Sequence, residues 1–405
     1  MTMLFSGGLV FDGEGAMLDD HGVAVDGGRI VRLAPLGEFD GFEGDRIDTG
    51  GATLLPGLID CHVHLVNDGA ADPFARISRM SDAEITLLAL RNAQANLRGG
   101  ITSVRDCGGK DYLEFAVRDA CNAKLFSGPT VRAAGRMICM TGGHGNRVGR
   151  IADGVEEVVK AVREQIHAGS DLIKLMATGG VMTPGVDPED AHYSAEEMAA
   201  GIAEGKRFHR PCASHAQGRD GILNAVRGGV DSIEHGIFMD ERCVEEMVER
   251  GTYLVPTLAA LRNILLNRER GIADYIVEKT ERVGEAHRRS IAMFYKAGGR
   301  LAMGTDAGTP FNYHGENARE LRYMVDVGIG PRDALAAATS RAADLNRLAD
   351  RGRIREGAAA DLLLVNGNPV EDIDLVADRA HHRAVYKDGE LVAGSPAAQA
   401  RPRAS

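Results

Sequence analysis

The spacing of apolar residues along the chain changes near residue 57. Before it, short alternating apolar runs at 4–11, 22–26, 29–33 and 52–54 are broken by glycines, and Asp26-Gly27-Gly28-Arg29 has the composition of a tight hairpin. After it, short continuous apolar runs take turns with longer segments whose apolar positions recur at helical spacing. The runs lie at 58–64, 101–106, 130–139, 172–176, 212–215, 232–235, 253–257 and 301–306, and helical patterns occupy 82–98, 155–168, 195–208, 219–227, 240–250 and 274–296. Eight strands separated by helices are the order of a (β/α)8 TIM barrel, which places the chain in the α/β class. From 352 to 394 the pattern returns to β, with runs at 361–365 and 384–386 and a turn at Asp388-Gly389. Residues 1–56 and 350–394 are therefore expected to pair into one small β-sandwich domain formed by both termini, beside a barrel over 57–349. The Ala-, Pro-, Arg- and Ser-rich stretch 395–405 is expected to be a disordered tail.

Composition narrows the partners. A chain of 405 residues exceeds the size at which one core usually keeps growing, in keeping with a large domain and a small companion. The net charge of −11, with no run of Lys and Arg, argues against nucleic acid. No stretch approaches the roughly 20 apolar residues of a membrane-spanning helix. The first residues lack a basic segment and read as a strand rather than a signal peptide. Six cysteines without CxxC spacing argue against a zinc knuckle and a disulfide scaffold, and free thiols in a reducing cytoplasm are expected.

Candidate chemistry begins at Ile59-Asp60-Cys61-His62-Val63-His64. Alternation along a strand puts both histidines on one face, where two imidazoles at a strand's C-terminal end can share a metal ion. Alone this pair is a weak signal. Lys174 lies inside Leu172-Ile173-Lys174-Leu175-Met176, where a cation is expensive to bury, although a snorkelling or ion-paired lysine also fits. His215 and His235 end two further strands, and Asp306 ends the eighth. Each has an ordinary alternative, a core histidine or a capping aspartate. Together, six ligand-capable residues on strands one, four, five, six and eight project toward one mouth, which points to a metal site.

The stretch Leu55-Pro56-Gly57-Leu58-Ile59-Asp60-Cys61-His62-Val63-His64 resembles the opening motif of the amidohydrolase superfamily, and the order HxH, Lys, His, His, Asp agrees over nearly the whole chain. IKLMATGG around Lys174, TGGHG around His144 and HGENARELRYMVDVG from residue 314 are similar to the branch with Xaa-Pro and Xaa-Arg dipeptidases and imidazolonepropionase-related hydrolases. The resemblance implies two divalent metal ions, zinc being the first expectation. His62, His64 and Asp306 would hold the more buried ion, His215 and His235 the other, with Lys174, carboxylated by CO2, bridging them. A metal-bridging hydroxide would attack the carbonyl, with Asp306 as proton shuttle. His144 would contact the substrate carbonyl or carboxylate, an exposed loop histidine being the alternative. Arg147 and Tyr193 are candidate substrate contacts, and 179–193 has the make-up of a long loop, read as a lid, in which the anchor role is the favoured one for His192 and Tyr193. The expected partner is a small-molecule substrate, best a dipeptide or N-acyl amino acid. A cyclic amide, urea or carbamate is the alternative, and a non-catalytic scaffold is disfavoured by the filled ligand positions. The resemblance also implies a homo-oligomer.

Overall fold

A computed structural model describes residues 2–396, which fall into two regions distinguished by sheet type. In the first, strands Arg29–Pro35, His21–Asp26, Met3–Ser6 and Asp45–Asp48 lie side by side in that order. A second sheet runs Glu390–Gly394, His382–Lys387, Leu362–Asn366, Ala52–Pro56, Leu9–Phe11 and Met17–Leu18, so strands from both ends of the chain share it. Leu54 pairs with Leu364 across the join. One apolar core lies between the sheets, where Phe5, Val23 and Ile30 meet Leu54, Leu362 and Tyr386. The Gly27-Gly28 turn, with φ of 53° and 79°, adopts the left-handed backbone that such hairpins require.

In the second region every strand pairing is parallel. Leu58–Val63, Ile101–Asp106 and Thr130–Ala133 form one arc. Arg150–Ile151, Ile138–Cys139, Ile173–Met176, Cys212–Ala216, Ser232–His235 and Tyr253–Val255 form another. Backbone bonds join them on both sides. Ala134 N donates to Asp106 O and Asp171 N to Ala133 O, while the segment 301–307 bridges Leu254 through Leu301 and Val63 through Ala307. Strand Leu58–Val63 is buried throughout, as expected where helices cover a parallel sheet. Among those helices, Asp82–Arg98 and Ala195–Arg207 each start at a capping box, Ser81 with Glu84 and Ser194 with Glu197.

Three departures from the sequence pattern shape the site. The run 130–139 is two strands rather than one, because Gly135 turns at φ 79° and the Arg136 guanidinium takes the carbonyls of Val148 and Gly149. The run 301–306 makes isolated bridges instead of a continuous strand. There Gly304 crosses so close to its neighbours that a Cβ would lie 2.4 Å from Val255 Cγ1, and Asp306 turns at φ 61°. Tyr253–Val255 stops short of 257, where Thr257 at φ 53° opens the unforeseen helix Leu258–Leu266. The backbone amides of Leu258 and Ala259, in that helix's first turn, donate to the buried carboxyl of Glu320. Helices Leu113–Asn122, Arg319–Asp326, Pro331–Ala337 and Ser340–Leu345 also went unmarked in the apolar pattern. Among the described residues no helix is long and apolar enough to cross a membrane. The tail expected over 395–405 lies, apart from Ser395 and Pro396, outside the described residues.

Candidate active site

The ligand-type residues meet in one cavity, lined by His62, His64, His144, Lys174, His215, His235 and Asp306. Their placement follows from strand periodicity. Asp60, His62 and His64 recur at every second position of the first parallel strand and its exit. Asp60 is spent on structure: its carboxylate accepts from His62 N, Thr305 N, Thr305 Oγ1 and Asn317 Nδ2, locking this strand to the 301–307 segment. Burial pushes its pKa up to about 6 against those four bonds. His62 and His64 are left to face Asp306, whose Oδ1 lies 3.5 Å from His62 Nε2 and 3.1 Å from His64 Nε2.

The other ring nitrogens are committed. His64 Nδ1 is 2.7 Å from Gly108 O, His235 Nδ1 is 2.6 Å from Thr257 Oγ1, and His215 Nε2 is 2.9 Å from Gly179 O. His62 Nδ1 lies 2.9 Å from Glu234 Oε2. Such outer contacts fix each imidazole's tautomer and aim its second nitrogen at the cavity. The rings crowd together at an angle, with centroids 4.6 Å apart for His215 and His235, which meet edge-on, and 5.3 Å for His62 and His235, which are tilted. His235 and Asp306 both have positive φ, at 74° and 61°, a strained backbone for non-glycine residues that often marks a functional position.

Electrostatics keep the set ready to bind a cation. Burial, with Lys174 adding to it, holds His62 far below the usual imidazole range, and burial with His144 does the same for His215. Burial also lowers His235 to about 3. The Glu234 contact to His62 is thus a hydrogen bond to a neutral ring rather than an ion pair. Asp306 is the reverse case: burial would raise its pKa, but His62 and His64 outweigh it and hold the carboxylate ionised. His64 is the exception, since burial would lower its pKa but the contact with Asp306 raises it. Neutral imidazoles at His62, His215 and His235 and an ionised carboxylate are the protonation states that metal ligation needs. Ligand atoms of His62, His235 and Asp306 all lie within 4.8 Å of one another. A second such group, His62, Cys107 and Glu234, is no metal site, because Glu234 is already taken by His62, Arg105 and Ser232.

Lys174 is 2% exposed, and its Nζ has no hydrogen-bond partner among the described residues. His144 stacks on His215 at 4.5 Å, with Nδ1 2.8 Å from Thr183 Oγ1, so it is part of the buried cavity and not an exposed loop histidine. Burial lowers its pKa to about 3. Arg147 and Tyr193 are not brought to the cavity. Arg147 turns outward to Asp72 at 3.5 Å and over the Phe74 ring, while Tyr193 is 1% exposed and donates its hydroxyl to Ala152 O, anchoring the end of the 179–193 loop. His192 lies beside Gly143 and outside the cavity lining. The loop itself is fastened to helix Asp274–Lys296: Lys279 Nζ donates to Thr183 O and Val186 O, Tyr275 to Met182 O, and Arg282 pairs with Asp187. The expected lid is therefore a tethered cover.

Sequence reasoning missed the charges behind the cavity histidines. Arg105 donates to Cys61 O, to Ser232 Oγ at 3.1 Å and to Glu234 Oε1 at 2.8 Å, and both charged groups are almost wholly buried. A charged residue in the middle of each of two buried strands was the available signal, the same one that picked out Lys174.

Comparison with known proteins adds a third line. A family model described as "Amidohydrolase family" matches residues 53–392. The chain is 32% identical over 384 residues to an Aspergillus niger protein named ochratoxinase, covering 84% of this chain and 76% of that protein. It is 28% identical over 256 residues to imidazolonepropionase of Micrococcus luteus, covering 58% of this chain and 61% of that one. Among solved structures, a Xaa-Pro dipeptidase with bound methionine in the active site superposes with a TM-score of 0.87 at 32% identity, covering 96% of this chain and 99% of that one.

Proposed function

Because the chain belongs to the amidohydrolase family, we propose that it is a metal-dependent hydrolase cleaving the C–N bond of a small amide, a dipeptide or N-acyl amino acid. The observation that carries this reading is Lys174, a buried amine with no hydrogen-bond partner among the described residues, in a cavity lined by six imidazoles and one carboxylate. An ammonium in that company is costly. Once the ammonium gives up a proton, the free amine would add to CO2 and lose a second one, leaving a carbamate anion bearing two oxygens that divalent cations would neutralise. His62, His64 and Asp306 would hold one such ion and His215 and His235 the other, with Lys174 between them; the nearness of His62, His235 and Asp306 supports cation binding at this place. Imidazole and carboxylate ligands suit zinc, and also manganese, cobalt or iron. When bound, the ions supply Lewis-acid polarisation of the scissile carbonyl and bring the pKa of a water near neutrality.

The chain's own residues do the rest. Asp306, held ionised, takes a proton from the attacking water and passes it to the leaving nitrogen. Burial keeps His144 neutral, and in the tautomer whose Nδ1 accepts from the Thr183 hydroxyl its Nε2–H would donate to the substrate carbonyl or carboxylate. The 179–193 loop keeps His144 and His215 in place through Thr183 and Gly179, and excludes water from above. We read the two parallel arcs, linked through 301–307 and Ala134, as a (β/α)8 barrel over 57–349. The sheets formed by 1–56 and 350–394 are its companion domain. The comparisons support this reading, since the superposition on the Xaa-Pro dipeptidase spans both regions.

The test is metal analysis of the purified protein together with a screen of dipeptides and N-acyl amino acids. Chelation is expected to remove activity, and zinc, cobalt or manganese to restore it. Less than one equivalent of metal with no rescue overturns the enzyme reading. A blank library beside turnover of a cyclic amide or phenylcarbamate moves the substrate to that class.

A further inference from the structure

Away from the ionisable centre and from the polar side chains Asn67, Gln217, Thr257 and Thr309, one side of the cavity is an apolar wall. Val181 and Met182 come from the tethered loop, Leu261 and Ile264 from helix Leu258–Leu266, and Met176 and Ile237 from strand exits. Five of them, all but Met176, belong to one apolar cluster that continues into helix Asp274–Lys296 through Ile276 and Val283. This wall is packed and built from four separate segments, so it has a defined shape. Among the described residues the only charged side chains lining the cavity, histidines aside, are Lys174 and Asp306, both assigned above to the centre. No arginine or glutamate faces it, and the nearby cation Arg147 is turned to Asp72.

We infer that this wall is a side-chain subsite selecting a bulky uncharged group, aromatic or branched aliphatic, next to the scissile amide, and rejecting basic and acidic side chains. The inference rests on the hydrolase reading and sharpens its substrate class. Two physical terms produce the selection. Each methylene that fills an apolar pocket is worth roughly tenfold in kcat/KM, so a large side chain outruns alanine by about two orders of magnitude. A cation or anion entering the same wall loses its hydration without gaining a partner, which disfavours it by at least about 100-fold.

The experiment uses the metal-replete enzyme and a panel of N-acetyl amino acids and dipeptides in which one residue varies through Phe, Leu, Met, Ala, Arg, Lys, Asp and Glu. Phe, Leu and Met are expected to lead Ala by about 100-fold, with the charged members lower still. Met182 is half-buried at the edge of the wall, so Met182→Glu should fold, and it is expected to raise the Arg-to-Phe ratio of kcat/KM at least tenfold. Leu261→Ala should shrink the advantage of Phe over Ala by about tenfold. A preference for charged side chains in the native enzyme, or an unchanged Arg-to-Phe ratio in Met182→Glu, overturns the subsite while leaving the hydrolase reading intact. No turnover of any amide overturns both.

Discussion

Replacing Glu234 by glutamine separates the role of its charge from that of its shape. In the native protein Oε1 accepts from Arg105 and Ser232 while Oε2 accepts from His62 Nδ1. A carboxylate only accepts, so His62 must carry its proton on Nδ1 and present a bare Nε2 to Asp306 and the cavity. In Glu234→Gln the buried guanidinium still needs an acceptor, and the amide oxygen is the one it will take. The amide NH2 is then forced onto His62 Nδ1, which must become an acceptor. The proton moves to Nε2, and the nitrogen that faced the cavity no longer has a lone pair for a metal. The loss is a donor, not volume.

The magnitudes follow. Disturbing the partner of a metal-bound histidine typically costs 10- to 100-fold in metal affinity or activity. Weakening a charge-assisted hydrogen bond costs about 1.5–3 kcal/mol of stability. The assays are metal content after dialysis against a weak chelator, and urea unfolding. Glu234→Leu should be worse for folding, by about 3–5 kcal/mol, because Arg105 is left buried without a counter-charge. The pair Arg105→Leu with Glu234→Leu should recover most of that stability and none of the metal affinity. Full metal occupancy and full activity in Glu234→Gln would refute the tautomer argument. Recovery of metal affinity in the double variant would show that the buried pair acts on folding alone.

Lys174→Ala is expected to abolish activity, with short carboxylates such as acetate restoring part of it by supplying the missing oxygens; full activity without additives rules out the bridging role. His287 and His314 are both pushed down to about 4 by burial, each with Nε2 on a backbone carbonyl. Below pH about 6.5 the unfolded chain binds protons that these rings refuse, so stability is lost as pH falls from about 6.5 to 4, by about 3 kcal/mol per ring. Urea midpoints measured from pH 7 to 4.5 should fall accordingly, less steeply in His314→Gln, and a flat profile contradicts the argument. Gly304→Ala would set a Cβ 2.4 Å from Val255 Cγ1 and 3.0 Å from His62 Cβ. The expected cost is about 1–3 kcal/mol in unfolding experiments, with weakened metal binding because His62 is displaced, and wild-type values for both would count against that crowding.

The cavity's ionisable side chains were legible because a parallel strand covered on both faces should be apolar, so His62, Lys174, His215 and His235 stand out as anomalies at comparable depths. The same cue was present at Arg105 and Glu234, yet it says only that a buried charge has a partner, never which one. Arg105 and Glu234 are 129 residues apart, and nothing local to either strand encodes that the two will face each other. Gly304, Asp306 and Thr257 show a second limit. Their apolar neighbours read as strand, but crowding against Val255 and left-handed turns end the ladder early, and those turns carry Asp306 to His62 and His64. Tyr193 shows a third. An aromatic with a hydroxyl in a loop fits a substrate contact or an anchor, and only the nearness of Ala152 O decides. Periodicity therefore reports which side chains leave water. Their partners, and with them the protonation state of each ligand, are set by contacts between distant segments.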